Sequence, residues 1–123
     1  MAKRVLDVGN CGPDYSAIRR FLTEHFNCEV EQAHGPDDTL AILRAGQYDL
    51  VLVNRKLDQD YSDGIEIIQQ LQADPDLKAV PVMLITNYPE HQDAAEAVGA
   101  ARGFGKLELD EPETLEKLQP YLS

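Results

Sequence analysis

Tyr48-Asp49-Leu50-Val51-Leu52-Val53-Asn54 is the stretch on which the fold turns. Its apolar residues run without the alternation of a half-solvated strand, so both faces are covered, as in parallel sheets. Open α/β sheets carry their sites beyond the carboxyl ends of such strands. Asn54, which closes the run, therefore marks a candidate site.

Outward from this strand, the punctuation alternates regularly. Arg4–Val8 is a short apolar strand interrupted by Asp7 and followed by Gly9-Asn10-Cys11-Gly12. A helix starts near Pro13-Asp14, with Pro in the first turn and Asp at the positive end of the dipole. Ile18, Phe21, Leu22 and Phe26 give it helical spacing, and Asn27 can end it. Glu29–Ala33 alternates as a strand, and Gly35-Pro36 opens a helix that ends at Gly46. Beyond Asn54 and a polar loop, Ile65, Ile67, Ile68 and Leu71 mark a third helix, stopped by Asp74-Pro75. Val80–Thr86 is the fourth strand, with Pro81 tolerated where pairing begins. Pro89 starts an alanine-rich helix ending at Gly99, and Gly103–Lys106 is a short fifth strand. Asp110, Pro112 and Glu113 resemble a capping box ahead of Leu115, Leu118 and Leu122. Strands alternating with helices imply right-handed crossovers and one doubly wound α/β domain over residues 1–123, a five-stranded parallel sheet with five helices.

The composition narrows the function. Lys and Arg number 11 against 22 Asp and Glu, a formal charge of -11, which disfavours nucleic acid and anionic membrane as partners. No signal, transmembrane or lipidation motif is read, so a cytoplasmic setting is expected. Cys11 and Cys28 fall at opposite ends of their strands, too far apart for a disulfide, and no His/Cys cluster has metal spacing. Cys11 is read as an unreactive small residue. His25, His34 and His91 are expected to be exposed and are assigned no role. If Asp7 is buried, it needs polar partners. Asp58, Asp60 and Asp63 are faintly like a calcium loop, but the spacing and the missing bidentate Glu favour a solvated acidic loop. Gly9-Asn10-Cys11-Gly12 is neither a dinucleotide fingerprint nor a P-loop.

The strand ends Gly9-Asn10-Cys11, Asn54, Thr86-Asn87 and Lys106-Leu107, with Val80–Thr86 and Gly99–Phe104, resemble the receiver domain of two-component response regulators over essentially the whole chain. The resemblance implies a flavodoxin-like fold of receiver type. In that family an aspartate ending strand three accepts a phosphoryl group, and two acidic residues after strand one help it hold magnesium. A Thr or Ser and a Lys bind the phosphoryl oxygens. Thr86 and Lys106 are retained here, and Thr86 and Phe104 match the switching hydroxyl and aromatic. The acceptor position is Asn54, and the acidic pair falls on Gly9-Asn10 or Asn10-Cys11.

None of these is a carboxylate. Phosphoryl transfer needs an anionic oxygen nucleophile, and magnesium prefers hard anionic ligands. Asn87 replaces a small residue, and Leu107 replaces the usual Pro, so a cis peptide after Lys106 is not expected. The sequence therefore reads as a pseudo-receiver with no catalytic residue, cofactor or metal. Asn54 and Lys106 are expected to satisfy each other in a locked site.

The expected role is a stand-alone, phosphorylation-independent interaction module in signal transduction, not an enzyme. Its protein partner is contacted in trans, with a homodimer left open. Gln92, Glu96, Leu107, Leu109 and Tyr121 form the candidate partner face, and the two leucines are read as poorly placed for the core. The alternative is a sensor that binds a small anion or metabolite at the Thr86/Lys106 pocket.

Overall fold

Leu50 and Leu52 face one half of the core while Val51 and Val53 face the other, and all four are fully buried. In the computed structural model, which describes residues 2–123, this strand is the middle of a five-stranded parallel sheet. In chain order the elements are β1 (Lys3–Val8), α1 (Gly12–His25), β2 (Cys28–Ala33), α2 (Pro36–Ala45), β3 (Leu50–Asn54), α3 (Ile65–Ala73), β4 (Val82–Ile85), α4 (Pro89–Ala97), β5 (Ala101–Phe104) and α5 (Pro112–Leu122). The strand order is β2-β1-β3-β4-β5. The chain winds from β1 to β2, then crosses back to lay β3 on the other side of β1. The switch point between β1 and β3 opens a crevice at their carboxyl ends, where α/β sheets carry their sites.

Two apolar layers hold the sheet. Ile18, Phe21 and Leu22 of α1 and Leu118 and Leu122 of α5 pack on the face that carries Val5, Leu50, Leu52 and Phe104. Leu43 of α2, Ile67, Ile68 and Leu71 of α3 and Ala95 of α4 cover the face with Leu6, Val8, Val51 and Val53. Strands buried on both faces have no room for polar side chains except at their ends, and Asp7 is the exception.

Several boundaries differ from the expected ones for local reasons. β5 lies earlier than Gly103–Lys106, because Lys106–Glu108 winds into a 3₁₀ turn. That turn is closed by the Glu108 N–H donating to Gly105 O at 3.0 Å and by the Glu108 carboxylate accepting from Gly105 N–H at 2.8 Å. Val80 stays outside β4, since its N–H is bonded to Leu77 O. The capping box at Asp110 does not form: Glu111 is the N-cap of α5, without a side-chain cap. The Thr114 hydroxyl instead donates to Glu108 O at 2.7 Å, tying the helix to the 3₁₀ turn.

Gln92 is not a surface residue. It is buried in α4, where its amide donates to Leu84 O at 2.9 Å and accepts from Gly103 N–H at 2.8 Å. One side chain thus stitches α4 to β4 and β5, and its loss leaves buried backbone groups unpaired. Gln92→Ala is expected to lower unfolding free energy by about 3 kcal/mol in urea titrations; a loss under about 1 kcal/mol would mean that the stitch is replaced by other groups.

Candidate functional site

Gly9 follows β1 with φ +80°, a conformation that disfavours any side chain. A Cβ built there would lie 2.5 Å from Leu57 Cδ2, and Leu57 is itself buried. The Leu57 side chain, which follows β3, therefore occupies the space that a side chain at position 9 would enter. Asn10 is fully buried, and its amide donates to Asp7 Oδ1 at 2.6 Å. Cys11 is exposed at the N-cap of α1 and makes no side-chain cap.

The buried partner that Asp7 required is thus Asn10. Asp7 Oδ2 and Asn10 Oδ1 are both buried without a donor. A proton on the Asp7 carboxyl is the one group that lets this pair satisfy itself. Burial pushes the Asp7 pKa up to about 7, against the opposing pull of the Asn10 amide and the Lys106 charge.

Asn54 and Lys106 do not satisfy each other, contrary to expectation. The Asn54 amide donates to Lys56 O at 2.6 Å and to Gly9 O at 3.4 Å, bracing the two strand ends. Lys106 turns to α1 instead, where its ammonium meets Asp14 Oδ2 at 2.7 Å. That hydrogen bond holds the Asp14 carboxyl below its usual range. Asp14 could be read from sequence as a helix-start residue, but its role as the lysine's counter-charge depends on how α1 and the β5–α5 turn meet.

Thr86 is buried, and its hydroxyl belongs to α4: Tyr88 N–H donates to it at 3.3 Å, and His91 Nδ1 lies at 3.3 Å. His91, assigned nothing from sequence, thus touches a retained receiver position. Phe104 is inside, packed in the layer with α1 and α5. Asn87 uses the room that a small residue would leave. Its Oδ1 accepts from Leu107 N–H at 3.2 Å, and a Cβ on Gly105 would lie 1.7 Å from that oxygen. This clamp joins the β4–α4 loop to the β5–α5 turn. The peptide after Lys106 is trans, with no cis bond among the described residues.

The carboxylates of the acidic loop are engaged by protein groups. Asp58 pairs with His34 at 3.1 Å, Asp60 accepts from Ser62 N–H at 2.9 Å, and Asp63 accepts from Ile65 N–H at 3.0 Å. Beside them opens a cleft of about 200 Å³, lined by Asn54, Arg55, Lys56, Thr86, Tyr88 and Lys106 among others, with no carboxylate on its wall. Of the proposed partner face, Leu107 is 83% exposed, and Glu96 lies outside, bound to Arg102 at 2.6 Å. Leu109 and Tyr121 are half-buried against the core, which corrects the reading of Leu109 as free of it.

A profile for the response regulator receiver domain matches residues 14–107. This chain belongs to that family. Among solved structures, the receiver is similar to chemotaxis protein CheY4 of Vibrio cholerae at 23% identity, over 99% of this chain and 100% of that one, with a TM-score of 0.77. It is also similar to the BeF3-activated N-terminal receiver domain of Klebsiella pneumoniae RstA, at 19% identity over 97% of both chains and a TM-score of 0.78. A third is the receiver domain of a DNA-binding response regulator (merR) from Colwellia psychrerythraea, at 20% identity over 96% and 98% of the chains, with a TM-score of 0.74. At these identities the likeness is one of fold. No helix among the described residues is long and apolar enough to cross a membrane.

Two measurements follow from this receiver's site. Because the Asp7 pKa is raised on folding, the folded state binds the extra proton, and stability falls as pH rises from about 4 toward about 7. Between pH 5 and pH 8 the loss from this group is on the order of 3 kcal/mol. Asp7→Asn should flatten that slope and be the more stable form at pH 8; parallel pH profiles for the two proteins would refute the assignment. Asn87→Ala should speed exchange of the Leu107 amide by about 2- to 10-fold, the worth of one exposed hydrogen bond. Unchanged exchange would show that the clamp does not hold in solution.

Proposed function

We propose that this receiver works without phosphoryl transfer, as an interaction module that passes its state to a protein partner in trans. The observation that carries this reading is the seating of Leu57 on Gly9, which is one of the positions on which the family's acidic pair falls, the pair being Gly9-Asn10 or Asn10-Cys11. Asn54 offers an amide whose N–H is already spent on backbone carbonyls, and Lys106 is neutralised by Asp14. With neither nucleophile nor cation site, the chain works in the cytoplasm as a non-enzymatic pseudo-receiver. Its candidate contacts are the exposed Leu107, which with Leu109 borders Ala17 and Arg20 of α1, and, elsewhere on the surface, Glu96 and the exposed edge of Tyr121; a second copy of the chain is one candidate occupant.

Incubation with magnesium and acetyl phosphate, followed by intact mass, tests this directly. No phosphoryl group should add to the wild type. Nor should Asn54→Asp restore acceptance, since a single carboxylate leaves Leu57 over Gly9 and no acidic pair to hold magnesium. A phosphorylated wild type would sink the reading. Phosphorylation of the Asn54→Asp protein at a rate typical of receivers would show that Leu57 is no obstacle.

One observation favours a second reading, a sensor of small anions. The cleft that includes Thr86 and Lys106 also carries Arg55 and Lys56, in a chain with a net charge of -11. Ligand binding there would bias the same partner surface through the Asn87 clamp.

A further inference from the structure

We propose that the cleft between the β3–α3 and β4–α4 loops is a non-covalent site for a small organic phosphate monoester with a flat apolar group. The proposal rests on the anion-sensor reading and gives it a ligand class. It depends on Arg55 and Lys56, the two residues after Asn54, rather than on the retained Thr86 and Lys106.

The charges point this way. Arg4, Arg44, Arg102 and Lys106 all have carboxylate partners within salt-bridge distance. Lys3, Arg19, Arg20, Lys78 and Lys117 lack one among the described residues, and so do Arg55 and Lys56. Both stand on the wall of one concave site. Arginine's planar fork matches two phosphate oxygens at once, and lysine adds a compact second charge. The nearby acidic groups are turned elsewhere: Asp58 to His34, Asp14 to Lys106 and Asp7 to Asn10.

The rest of the wall sets Ile85 and the Tyr88 ring among the polar Asn54, Thr86 and Asn87. Ile85 is buried at the floor, and Tyr88 stands 57% exposed at the rim. The Tyr88 ring is set edge-on to His91, with centroids 5.4 Å apart. A flat group can stack on such a ring. The volume, about 200 Å³, is on the order of six or seven liquid water molecules. That is more than a bare tetrahedral anion fills and less than most drug-sized ligands need. No metal is required, because the cations supply the charge, and no bond to the protein forms.

The test is a titration of isotope-labelled protein with phenyl phosphate and, separately, inorganic phosphate, following amide shifts and intact mass. Phenyl phosphate should give saturable shifts at Asn54–Lys56 and Thr86–Tyr88, and should bind more tightly than inorganic phosphate. The Arg55→Gln/Lys56→Gln variant should weaken it by about tenfold or more, with thermal melting unchanged. Absence of saturation, equal affinity for the two probes, or shifts indifferent to the double substitution would each overturn the proposal. A separate incubation with magnesium and acetyl phosphate, read by intact mass, distinguishes the two readings: a null titration with no mass gain there removes only this site, whereas a mass gain removes the phosphorylation-independent reading itself.

Discussion

Leu57 resting on Gly9 is the contact on which the site depends. A parallel sheet covered on both faces confines chemistry to its carboxyl edge, and in this fold that edge is narrow. Gly9 has φ +80° and no side chain, and the Leu57 side chain lies against it. The neighbouring positions then follow. Asn10 turns inward to Asp7 instead of outward to a cation, and the Asn54 amide braces the carbonyls of Gly9 and Lys56. Gly9, Asn10 and Asn54 are thus parts of one hydrogen-bonded floor.

With no carboxylate at Gly9, Asn10 or Asn54, the charge of Lys106 is met from another element. An ammonium at the edge of a sheet needs a counter-charge or water, and here the first turn of α1 supplies Asp14. The pair is partly exposed, so it fixes position more than it stabilises the fold. It draws Lys106 toward α1 and leaves Arg55 and Lys56 as the cations without carboxylate partners in the cleft. Asp7 is the counterpart on the inside. Burial under a neutral amide favours the protonated form of this carboxyl and raises its pKa.

Much of this was legible in the sequence, for identifiable reasons. The apolar run ending at Asn54 fixed the buried strand, and helix starts at Pro36, Pro89 and Pro112 marked real boundaries. The absence of carboxylates at Gly9, Asn10 and Asn54 could be read directly. Partners across the fold could not. Asp14 reaches Lys106 over 92 residues, and Gln92 looks like an exposed helix residue until β4 and β5 present a carbonyl and an N–H to it. Leu109 follows the same logic: its half-buried position depends on the 3₁₀ turn at Lys106–Glu108, which no periodicity announces. Asn87 was visible as a departure from a small residue, yet its bond to Leu107 depends on Gly105 leaving space for the amide.

The Asn87 clamp is what connects the edge to the surface. A side-chain amide spans the β4–α4 loop and the β5–α5 turn, with Phe104 packed inside and Leu107 held outward one residue from Lys106. A ligand or partner can move such an arrangement only by binding one state better than another. The physical requirement is therefore differential contact with Asn87 or Tyr88, which border both the cleft and the turn. Because linkage is reciprocal, a partner that grips Leu107 and stabilises the clamp must tighten any ligand in the cleft by the same factor by which that ligand tightens the partner.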